Sequence, residues 1–289
     1  MGESRQTELV VIGAGPGGYA AAFRAADLGK QVVLVDRDPE LGGVCLNRGC
    51  IPSKALLHIS KVMDEAMHLE KMGVKYGKPD IDIDQMRDHK NKIVSQLNSG
   101  IAQMANARKV ETIQGLASFV SNTKLKVQTN TGDVTIIFGQ CIIAGGSTSG
   151  MIPGVPTDHP SVITSRTALD LEDVPERLLV VGGGAIGLEL GQVYAALGTK
   201  VSIVEYLPNL LPGTDLDLVK PLQRKLKKQC EVIQVSSKVT KAEPNKDGTL
   251  TVTIKNEKGS IAEEFNKVLV SVGRKPNTGL LNIEATDVK

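Results

Sequence analysis

At 289 residues the chain is longer than one ordinary compact domain, so we expect two domains. Its 34 Lys and Arg residues nearly balance 32 Asp and Glu residues, which excludes a field strong enough to bind nucleic acid or an anionic membrane. Charged residues interrupt every apolar run before the roughly 18 residues of a membrane span, and four cysteines do not make a secreted disulfide scaffold. We therefore expect a soluble protein of the cytoplasm, a reducing compartment.

The N-terminal part predicts a strand, a glycine turn and a helix in direct succession. A mostly apolar run at 8–12 indicates the strand, Gly13, Gly15 and Gly18 form the turn, and an alanine-rich helix ends at Gly29. A second strand at 31–35 leads to Asp36. In a dinucleotide site such glycines allow a tight turn, the approach of a pyrophosphate and close helix packing, and the carboxylate accepts ribose hydroxyls. For a single motif, a glycine turn without a ligand is the simpler alternative.

Two cysteines follow directly, in the run GGVCLNRGCIPSK at 42–54. Pro52 suits the first turn of a helix, so Cys50 is predicted at or just before a helix N-terminus, where a thiolate is stabilised. An irregular turn through Gly49 can bring Cys45 within disulfide distance of Cys50. The alternatives are half of a zinc site, for which further ligands are missing, and two inert buried thiols, for which a glycine-flanked polar loop is a poor place. A redox-active pair is the favoured interpretation.

The segment between the cysteines and residue 144 predicts helices followed by strands. Helices are expected at about 51–72 and 84–105, and short strands at 110–144 with turns at 122–123 and 131–133. Cys141, in an apolar strand, and the solitary Cys230 are predicted to be packing residues. His58, His68 and His89 fall on predicted solvated helix faces, and we predict no metal site.

The glycine motif occurs a second time, from Gly182, and the two copies are in register. Apolar residues 178–181 precede it, a helix closed by a glycine follows, and the strand at 201–204 leads to Glu205. Four pairs of equivalent positions differ by the same 169 residues (182 − 13, 187 − 18, 198 − 29 and 205 − 36). Two dinucleotide sites are therefore predicted, and the carboxylate at each repels the additional phosphate of NADP. A helix at 214–228 and strands at 231–272 complete the pattern.

Four motifs together resemble the flavoprotein disulfide reductases, the class I pyridine nucleotide-disulfide oxidoreductase family. They are the first glycine motif, the cysteine run, VGGGAIGLE at 181–189 and SVGRKPN at 271–277. Within the family the chain most resembles the dihydrolipoamide dehydrogenases, because glutathione reductases have VPKK where this chain has IPSK, and NADP-dependent members carry basic residues where it has Glu205. Mercuric and coenzyme-A disulfide reductases have the same two nucleotide motifs and stay open as alternatives, although Leu46, Ile51 and Ser53 disfavour them.

The resemblance implies an α/β fold with two Rossmann-like dinucleotide-binding domains of three layers, each with an additional antiparallel β element. It implies an FAD-binding domain at 1–147, an NAD-binding domain at 148–273 and, at 274–289, the start of the return to the FAD domain. The family's dimer-interface domain, with its His-x-x-x-x-Glu base, is not expected in these residues, and His159 is no replacement because Thr164 stands in the glutamate position. We expect a homodimeric parent enzyme and no turnover by this chain alone, or, as the second hypothesis, a catalytically incompetent nucleotide-binding fragment.

The resemblance also implies roles for individual residues. Cys45 exchanges with dihydrolipoamide, Cys50 faces the flavin, and Lys54, paired with Glu189, lies near flavin N5. Electrons pass from dihydrolipoamide, free or on lipoyl domains of 2-oxoacid dehydrogenase complexes, through the disulfide and FAD to NAD. The implied cofactor contacts, to FAD or to NAD, are Gly13, Gly15, Pro16, Gly18, Asp36, Arg37, Gly43, Val44, Cys45, Lys54, Gly115, Ala117, Ala144, Gly145, Gly146, Gly182, Gly184, Ala185, Ile186, Gly187, Glu189, Glu205, Val239 and Gly273.

Overall fold

The computed structural model describes residues 3–288, and these fold into seven α-helices and sixteen β-strands. The helices are α1 Pro16–Asp27, α2 Gly43–Arg48, α3 Cys50–His68, α4 Ile83–Ala107, α5 Ser165–Asp170, α6 Ala185–Ala196 and α7 Leu216–Gln229. The strands are β1 Glu3–Ile12, β2 Val32–Asp36, β3 Glu111–Gln114, β4 Leu116–Ser121, β5 Lys124–Thr129, β6 Gly132–Ile143, β7 Ser147–Ser149, β8 Val162–Thr164, β9 Arg177–Val181, β10 Lys200–Val204, β11 Val232–Gln234, β12 Lys238–Pro244, β13 Leu250–Asn256, β14 Gly259–Phe265, β15 Lys267–Val270 and β16 Arg274–Pro276. Short 3-10 helices occur at Leu69–Met72, Thr278–Leu280 and Ile283–Ala285. Among residues 3–288, no helix is both long enough and apolar enough to cross a bilayer.

The chain divides into two compact units that alternate along the sequence. Unit 1 comprises Met1–Ile51, Asn91–Thr148 and Lys275–Lys289, and unit 2 comprises Pro52–Lys90 and Ser149–Arg274. The sequence predicts the segment Pro52–Lys90 as part of the first domain, whereas the structure groups it with unit 2. Its contacts explain the difference, because Leu56 is fully buried in the core of unit 2 and Lys90 Nζ donates to Leu169 O at 2.7 Å.

Unit 1 is built around a six-stranded sheet in the order β3-β2-β1-β6-β5-β4. The pairs β3–β2, β2–β1 and β1–β6 are parallel, and β6–β5 and β5–β4 are antiparallel. Alternate residues of β1 face opposite sides: Leu9 and Val11 pack with α1 and α4, and Val10 and Ile12 pack with β4, β5 and β6. The parallel part of the sheet therefore lies between a helical layer and an antiparallel layer.

Unit 2 repeats this plan with a five-stranded parallel sheet in the order β11-β10-β9-β15-β8. On β9, Leu178 and Val180 pack against helices, and Leu179 and Val181 pack against the separate antiparallel sheet β12-β13-β14. Runs of buried β-branched residues without polar alternation are typical of parallel strands that are covered on both faces. Both units thus have the three layers and the additional antiparallel element of the predicted fold class, which is confirmed.

Two short helices are absent from the sequence prediction. Both α2 and α5 have six residues, too few for a periodic apolar pattern to stand out. In α5, a capping box between Thr164 and Thr167 stabilises the first turn. In α2, Gly42 precedes and Gly49 follows the helix, and these glycines in the sequence favour a turn rather than a helix.

The tight packing of α1 on its own loop gives a test of the fold. A methyl group at Gly18 would lie 1.6 Å from Gly13 O, whereas a methyl group at the neighbouring Gly17 would meet no atom within 4 Å. We expect Gly18→Ala to lower the free energy of unfolding by about 3 kcal/mol because the loop and the helix must separate. We expect Gly17→Ala, the matched control, to be neutral or to stabilise by up to about 1 kcal/mol, because alanine favours a helix. Urea denaturation followed by circular dichroism measures both, and equal stabilities for the two variants would contradict this packing.

Candidate functional site

The first glycine loop lies at the carboxyl end of β1 and leads into α1. Gly13 has a φ of +98°, and a methyl group there would lie 2.1 Å from Ala144 O, so both the backbone conformation and the space require glycine. A methyl group at Gly15 would meet no atom closer than the Gly43 Cα at 3.9 Å, and a methyl group at Gly17 would meet none within 4 Å. The loop is therefore tightly packed towards the sheet and open at the N-terminus of α1, where backbone N–H groups favour an anion.

The Asp36 carboxylate holds this loop through backbone hydrogen bonds. Ala14 N donates to Asp36 Oδ2 at 2.5 Å, and Asp38 N donates to Asp36 Oδ1 at 2.9 Å. Each carboxylate oxygen has a further lone pair, so Asp36 retains the capacity to accept ribose hydroxyls. The sequence predicts the contact of Asp36 with ribose hydroxyls. It does not predict the structural role of Asp36 in closing the loop.

The second glycine loop has the same hydrogen bonds at equivalent atoms. Gly183 N donates to Glu205 Oε2 at 2.6 Å, and Leu207 N donates to Glu205 Oε1 at 2.7 Å. A methyl group at Gly187 would lie 2.2 Å from Gly182 O, and one at Gly184 would meet no atom within 4 Å. Glu205 is buried, so its charge is held by these two donors rather than by water.

Main-chain bonds on the other side of each loop extend the equivalence. Gly42 N donates to Ala14 O at 2.8 Å, and Leu211 N donates to Gly183 O at 2.9 Å. The two donors are again 169 residues apart in the chain (211 − 42), and so are the two acceptors (183 − 14). The duplication predicted from four sequence positions therefore extends to individual backbone hydrogen bonds.

Several of the other predicted contact residues lie beside the first loop. Gly115 N donates to Asp36 O at 2.8 Å, and Ala144 N donates to Ile12 O at 2.7 Å. The side-chain amide of Asn277 donates to Gly145 O at 2.9 Å, which brings the segment at the end of the chain to the same place. Exposed positions among the predicted contacts are Pro16, Arg37, Lys54, Gly146, Ala185, Ile186 and Gly273, and Val44 is half-buried.

Two predicted contacts have side chains that point into the protein. Ala117 belongs to a core cluster of unit 1, and Val239 belongs to a core cluster of unit 2. Each side chain is only 3% exposed. A nucleotide can therefore reach only the main chain at these two positions, a restriction that the sequence does not reveal.

The two cysteines lie on consecutive helices. Cys45 is half-buried in α2, and Cys50 is the exposed first residue of α3, with Pro52 in the first turn as the spacing predicts. The two residues lie near the distance that a disulfide requires. A methyl group at Gly49, between the helices, would lie 2.8 Å from Val44 O and 3.3 Å from Cys45 Cα. The close approach of the two helices therefore depends on glycine at position 49.

The other two cysteines lie in apolar surroundings, as the sequence predicts. Cys230 is buried in the helix-side core of unit 2, and Cys141 packs against the antiparallel side of unit 1. Burial raises the pKa of the Cys141 thiol to about 12 and the pKa of the Cys230 thiol to about 11. Both thiols are thus neutral and unreactive near neutral pH.

Lys54 and Glu189 form an ion pair within unit 2. Lys54 Nζ lies 2.6 Å from Glu189 Oε1, and Ser53 Oγ donates to Glu189 Oε2 at 3.3 Å. The lysine side chain is 60% exposed and the glutamate side chain 28% exposed. Lys54 stands one helical turn after Cys50 on α3, so the two residues share a face of that helix. A fixed positive charge therefore accompanies the thiol on one side of α3.

Three residues around the cysteines make contacts that the sequence does not predict. Arg48, the last residue of α2, forms an ion pair with Asp38, which follows β2. The side-chain amide of Asn47 donates to Glu40 O at 3.4 Å and to Leu41 O at 3.3 Å. In the sequence, the Asp38–Arg48 pair is visible only as a carboxylate two positions after Asp36 and a cation between the cysteines. Neither pattern belongs to a general motif.

The histidines take no part in these sites. His58, His68 and His89 are exposed on α3 and α4, and His159 Nδ1 accepts a hydrogen bond from Ser161 N within its own turn. Within residues 3–288, His, Cys, Asp and Glu do not gather into a group of three or more that could hold a metal ion.

Comparison with known proteins places this arrangement among relatives. The family model described as pyridine nucleotide-disulphide oxidoreductase matches residues 7–289. The chain is 42% identical to a dihydrolipoyl dehydrogenase of Vibrio cholerae over 98% of its length and 60% of that protein. It is 39% identical to a mitochondrial dihydrolipoyl dehydrogenase of Pisum sativum, over 99% of the chain and 58% of that protein.

Solved structures give the same picture for the fold. The HOCl-induced flavoprotein disulfide reductase RclA of Escherichia coli superposes with a TM-score of 0.81 at 27% identity, over 98% of this chain and 60% of RclA. Its Cu(II) complex gives a TM-score of 0.82 at 26% identity, over 99% of this chain and 60% of RclA. The chain thus spans about 60% of the length of the relatives that it matches.

The raised pKa values of the buried thiols predict selective labelling. In the reduced, folded chain at pH 8, we expect a maleimide to modify Cys45 and Cys50 and to spare Cys141 and Cys230, because the thiolate is the reacting form. Peptide mass spectrometry identifies the modified residues, and labelling in urea provides the control in which all four react. Modification of Cys141 in the folded chain as fast as Cys45 would contradict the burial.

Because of the same two thiols, the free energy of unfolding depends on pH in the alkaline range. Below the ordinary thiol pKa of 9.0 both are neutral in the folded and the unfolded chain, and their burial is fully stabilising. Above that value the unfolded chain releases protons first, so the free energy of unfolding falls as the pH rises towards 11. Urea denaturation at pH 8 and pH 10 measures this fall, and Cys141→Ala with Cys230→Ala should reduce it.

Proposed function

We propose that this chain, which belongs to the pyridine nucleotide-disulphide oxidoreductase family, carries the nucleotide loops and the redox disulfide of an NAD-dependent dihydrolipoamide dehydrogenase. One observation carries the proposal: Cys45 and Cys50 lie near disulfide distance, and α2, which contains Cys45, packs against the first of the two glycine loops of the chain. A disulfide next to one nucleotide loop, with a second loop of identical hydrogen bonding, fits the transfer of electrons between a thiol and a nucleotide.

Thiol exchange begins at Cys45. A thiolate of the dithiol substrate attacks Cys45 Sγ and breaks the Cys45–Cys50 bond, so that Cys50 leaves as a thiolate. The second sulfur of the substrate then attacks the mixed disulfide, which releases Cys45 and forms the disulfide of the product. Two electrons pass from the substrate to the cysteine pair. Cys50 is the leaving group because it begins α3, where the positive end of the helix dipole favours a negative charge.

The two glycine loops fit dinucleotides. The space beside Gly17 and beside Gly184 is open at the N-termini of α1 and α6, where backbone N–H groups favour the charge of a pyrophosphate. Asp36 and Glu205 keep lone pairs for ribose hydroxyls. When bound, FAD supplies a ring that accepts two electrons, and NAD supplies the hydride acceptor. We assign FAD to the first loop because α2, with Cys45, packs against that loop: a methyl group at Gly43 would lie 2.5 Å from Gly15 Cα.

Glu205 supports NAD rather than NADP as the second nucleotide. Its carboxylate is buried and held by two backbone N–H groups, so it cannot turn away from an incoming ribose. An additional phosphate on that ribose would meet a fixed negative charge. Replacement of Glu205 would therefore affect both the closure of the loop and the choice of nucleotide.

Lys54 is proposed to stabilise negative charge on the flavin, with Glu189 as the residue that positions it. The ion pair of 2.6 Å fixes the ammonium group on the face of α3 that also carries Cys50. Ser53 adds a second hydrogen bond to the same carboxylate, at 3.3 Å, which limits the rotation of Glu189. A prepositioned cation costs little reorganisation when charge develops beside it.

The substrate and partners follow from the relatives. Several relatives that match nearly the whole chain at 39–42% identity are named dihydrolipoyl dehydrogenases, which supports dihydrolipoamide, free or carried on lipoyl domains of 2-oxoacid dehydrogenase complexes. RclA, at 26–27% identity, is less similar, and the mercuric and coenzyme-A disulfide reductases remain the enzymatic alternatives. A homodimeric parent enzyme of the cytoplasm belongs to the same proposal.

Single-turnover thiol exchange tests the proposed chemistry. The oxidised chain, mixed anaerobically with dihydrolipoamide, is expected to produce one equivalent of lipoamide per chain, because one protein disulfide is consumed. Cys45→Ser should produce none and should bind FAD as the unaltered chain does, since Cys45 supplies the attacked sulfur. Cys141→Ala, the matched control, should produce the full equivalent.

The assay counts equivalents rather than turnovers, so it is independent of the expectation that this chain alone does not turn over. A full equivalent of lipoamide from Cys45→Ser would refute the role of the cysteine pair. No lipoamide from the unaltered chain, together with intact nucleotide binding, would favour the alternative of a nucleotide-binding fragment without catalytic competence.

A further inference from the structure

We propose that the ion pair between Asp38 and Arg48 positions Cys45 for disulfide chemistry by holding α2 against the loop that follows β2. Both residues belong to unit 1, and neither has a role implied by the family resemblance. The inference rests on the proposed function only in taking Cys45 and Cys50 as the redox pair. Arg48 is thus a positioning residue, which acts through the helix that carries Cys45.

Helix α2 needs such a restraint because it is short and bordered by glycines. It has six residues, about half the length at which isolated helices become marginally stable. Gly42 and Gly43 at its start have φ values of +109° and +59°, and Gly49 separates it from α3. Glycines lose more backbone freedom than other residues on ordering, so this segment must be held by its side chains.

Three side chains of α2 provide the restraint, and Arg48 is the charged side chain among them. Leu46 is buried in the helix-side core of unit 1. Asn47 makes only long hydrogen bonds to Glu40 O and Leu41 O, at 3.4 and 3.3 Å. The side chains of Arg48 and Asp38 are 19% and 25% exposed, so their attraction is less screened than that of a surface pair. Arg48 is also the last residue of α2, where a cation is favoured by the helix dipole.

The internal duplication shows that the Asp38 side chain is not needed to build a glycine loop. Asp38 N and Leu207 N donate to equivalent oxygens of Asp36 and Glu205, so the two positions have the same main-chain role. The side chain at this position is a carboxylate in unit 1, which contains the cysteines, and leucine in unit 2. The carboxylate therefore serves the contact with Arg48, and through it the placement of α2.

This placement governs how readily the disulfide forms. The stability of a disulfide depends on the effective concentration of one thiol at the other, which falls when the segment that carries one of them moves freely. Arg48→Met keeps an unbranched side chain similar to the apolar part of arginine and removes the ion pair. We expect it to shift the equilibrium with glutathione about tenfold towards the reduced cysteines, the change that one charge-assisted hydrogen bond produces.

Two measurements on the purified 289-residue chain without nucleotides test the proposal. Hydrogen exchange followed by mass spectrometry on the reduced chain should show about tenfold faster exchange over residues 43–48 in Arg48→Met. Equilibration with reduced and oxidised glutathione then gives the disulfide equilibrium constant. Arg24→Met, which removes an exposed arginine of α1 in the same unit, should leave both measurements unchanged.

Charge exchange separates a specific pair from a general loss of structure. Asp38→Arg and Arg48→Asp should each behave as Arg48→Met does, and the double variant with both changes should recover most of the loss. Unchanged exchange over 43–48 in Arg48→Met would overturn the proposal, and so would faster exchange with an unchanged glutathione equilibrium. Because neither readout requires FAD, NAD or dihydrolipoamide, failure of the proposed enzymatic function would be seen separately, in the single-turnover assay.

Discussion

A carboxylate at the end of the second strand closes each glycine loop, and the rest of the site depends on this contact. Asp36 and Glu205 each accept two backbone N–H groups, one from the loop and one from the chain two residues further on. The carboxylate thereby ties the ends of two parallel strands together at the edge where nucleotides bind in such sheets. With the loop held, its remaining N–H groups are available at the N-terminus of the following helix.

The first unit extends this arrangement to the cysteines. The segment after β2 runs from Asp36 through Asp38 to Gly42, whose N–H donates to Ala14 O in the glycine loop, and then enters α2. The position of Cys45 is consequently coupled to the position of the first nucleotide loop by main-chain bonds and by the Asp38–Arg48 ion pair. Cys50 is the first residue of a much longer helix, of 19 residues. The two cysteines thus lie on helices of very different length.

The sequence predicts most of the fold because the dominant signals are local. Glycines at fixed spacing, apolar strands covered on both faces and the register between the two motifs define two Rossmann-like units. The sequence does not predict α2 or α5, which are too short to show a period, nor the grouping of Pro52–Lys90 with unit 2, which depends on the long-range contacts of Leu56 and Lys90. At the site, Asp38 and Arg48 are missed because ion pairs ten residues apart in the chain leave no recurring pattern. The burial of Ala117 and Val239 is missed because an alternating strand does not say which face a ligand approaches.

The central claim is that the cysteine pair passes electrons to a nucleotide held by the first loop. The most direct measurement is the flavin absorbance spectrum of the purified chain, reconstituted with FAD and recorded anaerobically before and after dihydrolipoamide is added. We expect bound flavin whose spectrum changes when the dithiol is added. A colourless chain, or a bound flavin that does not respond to the dithiol, would contradict it.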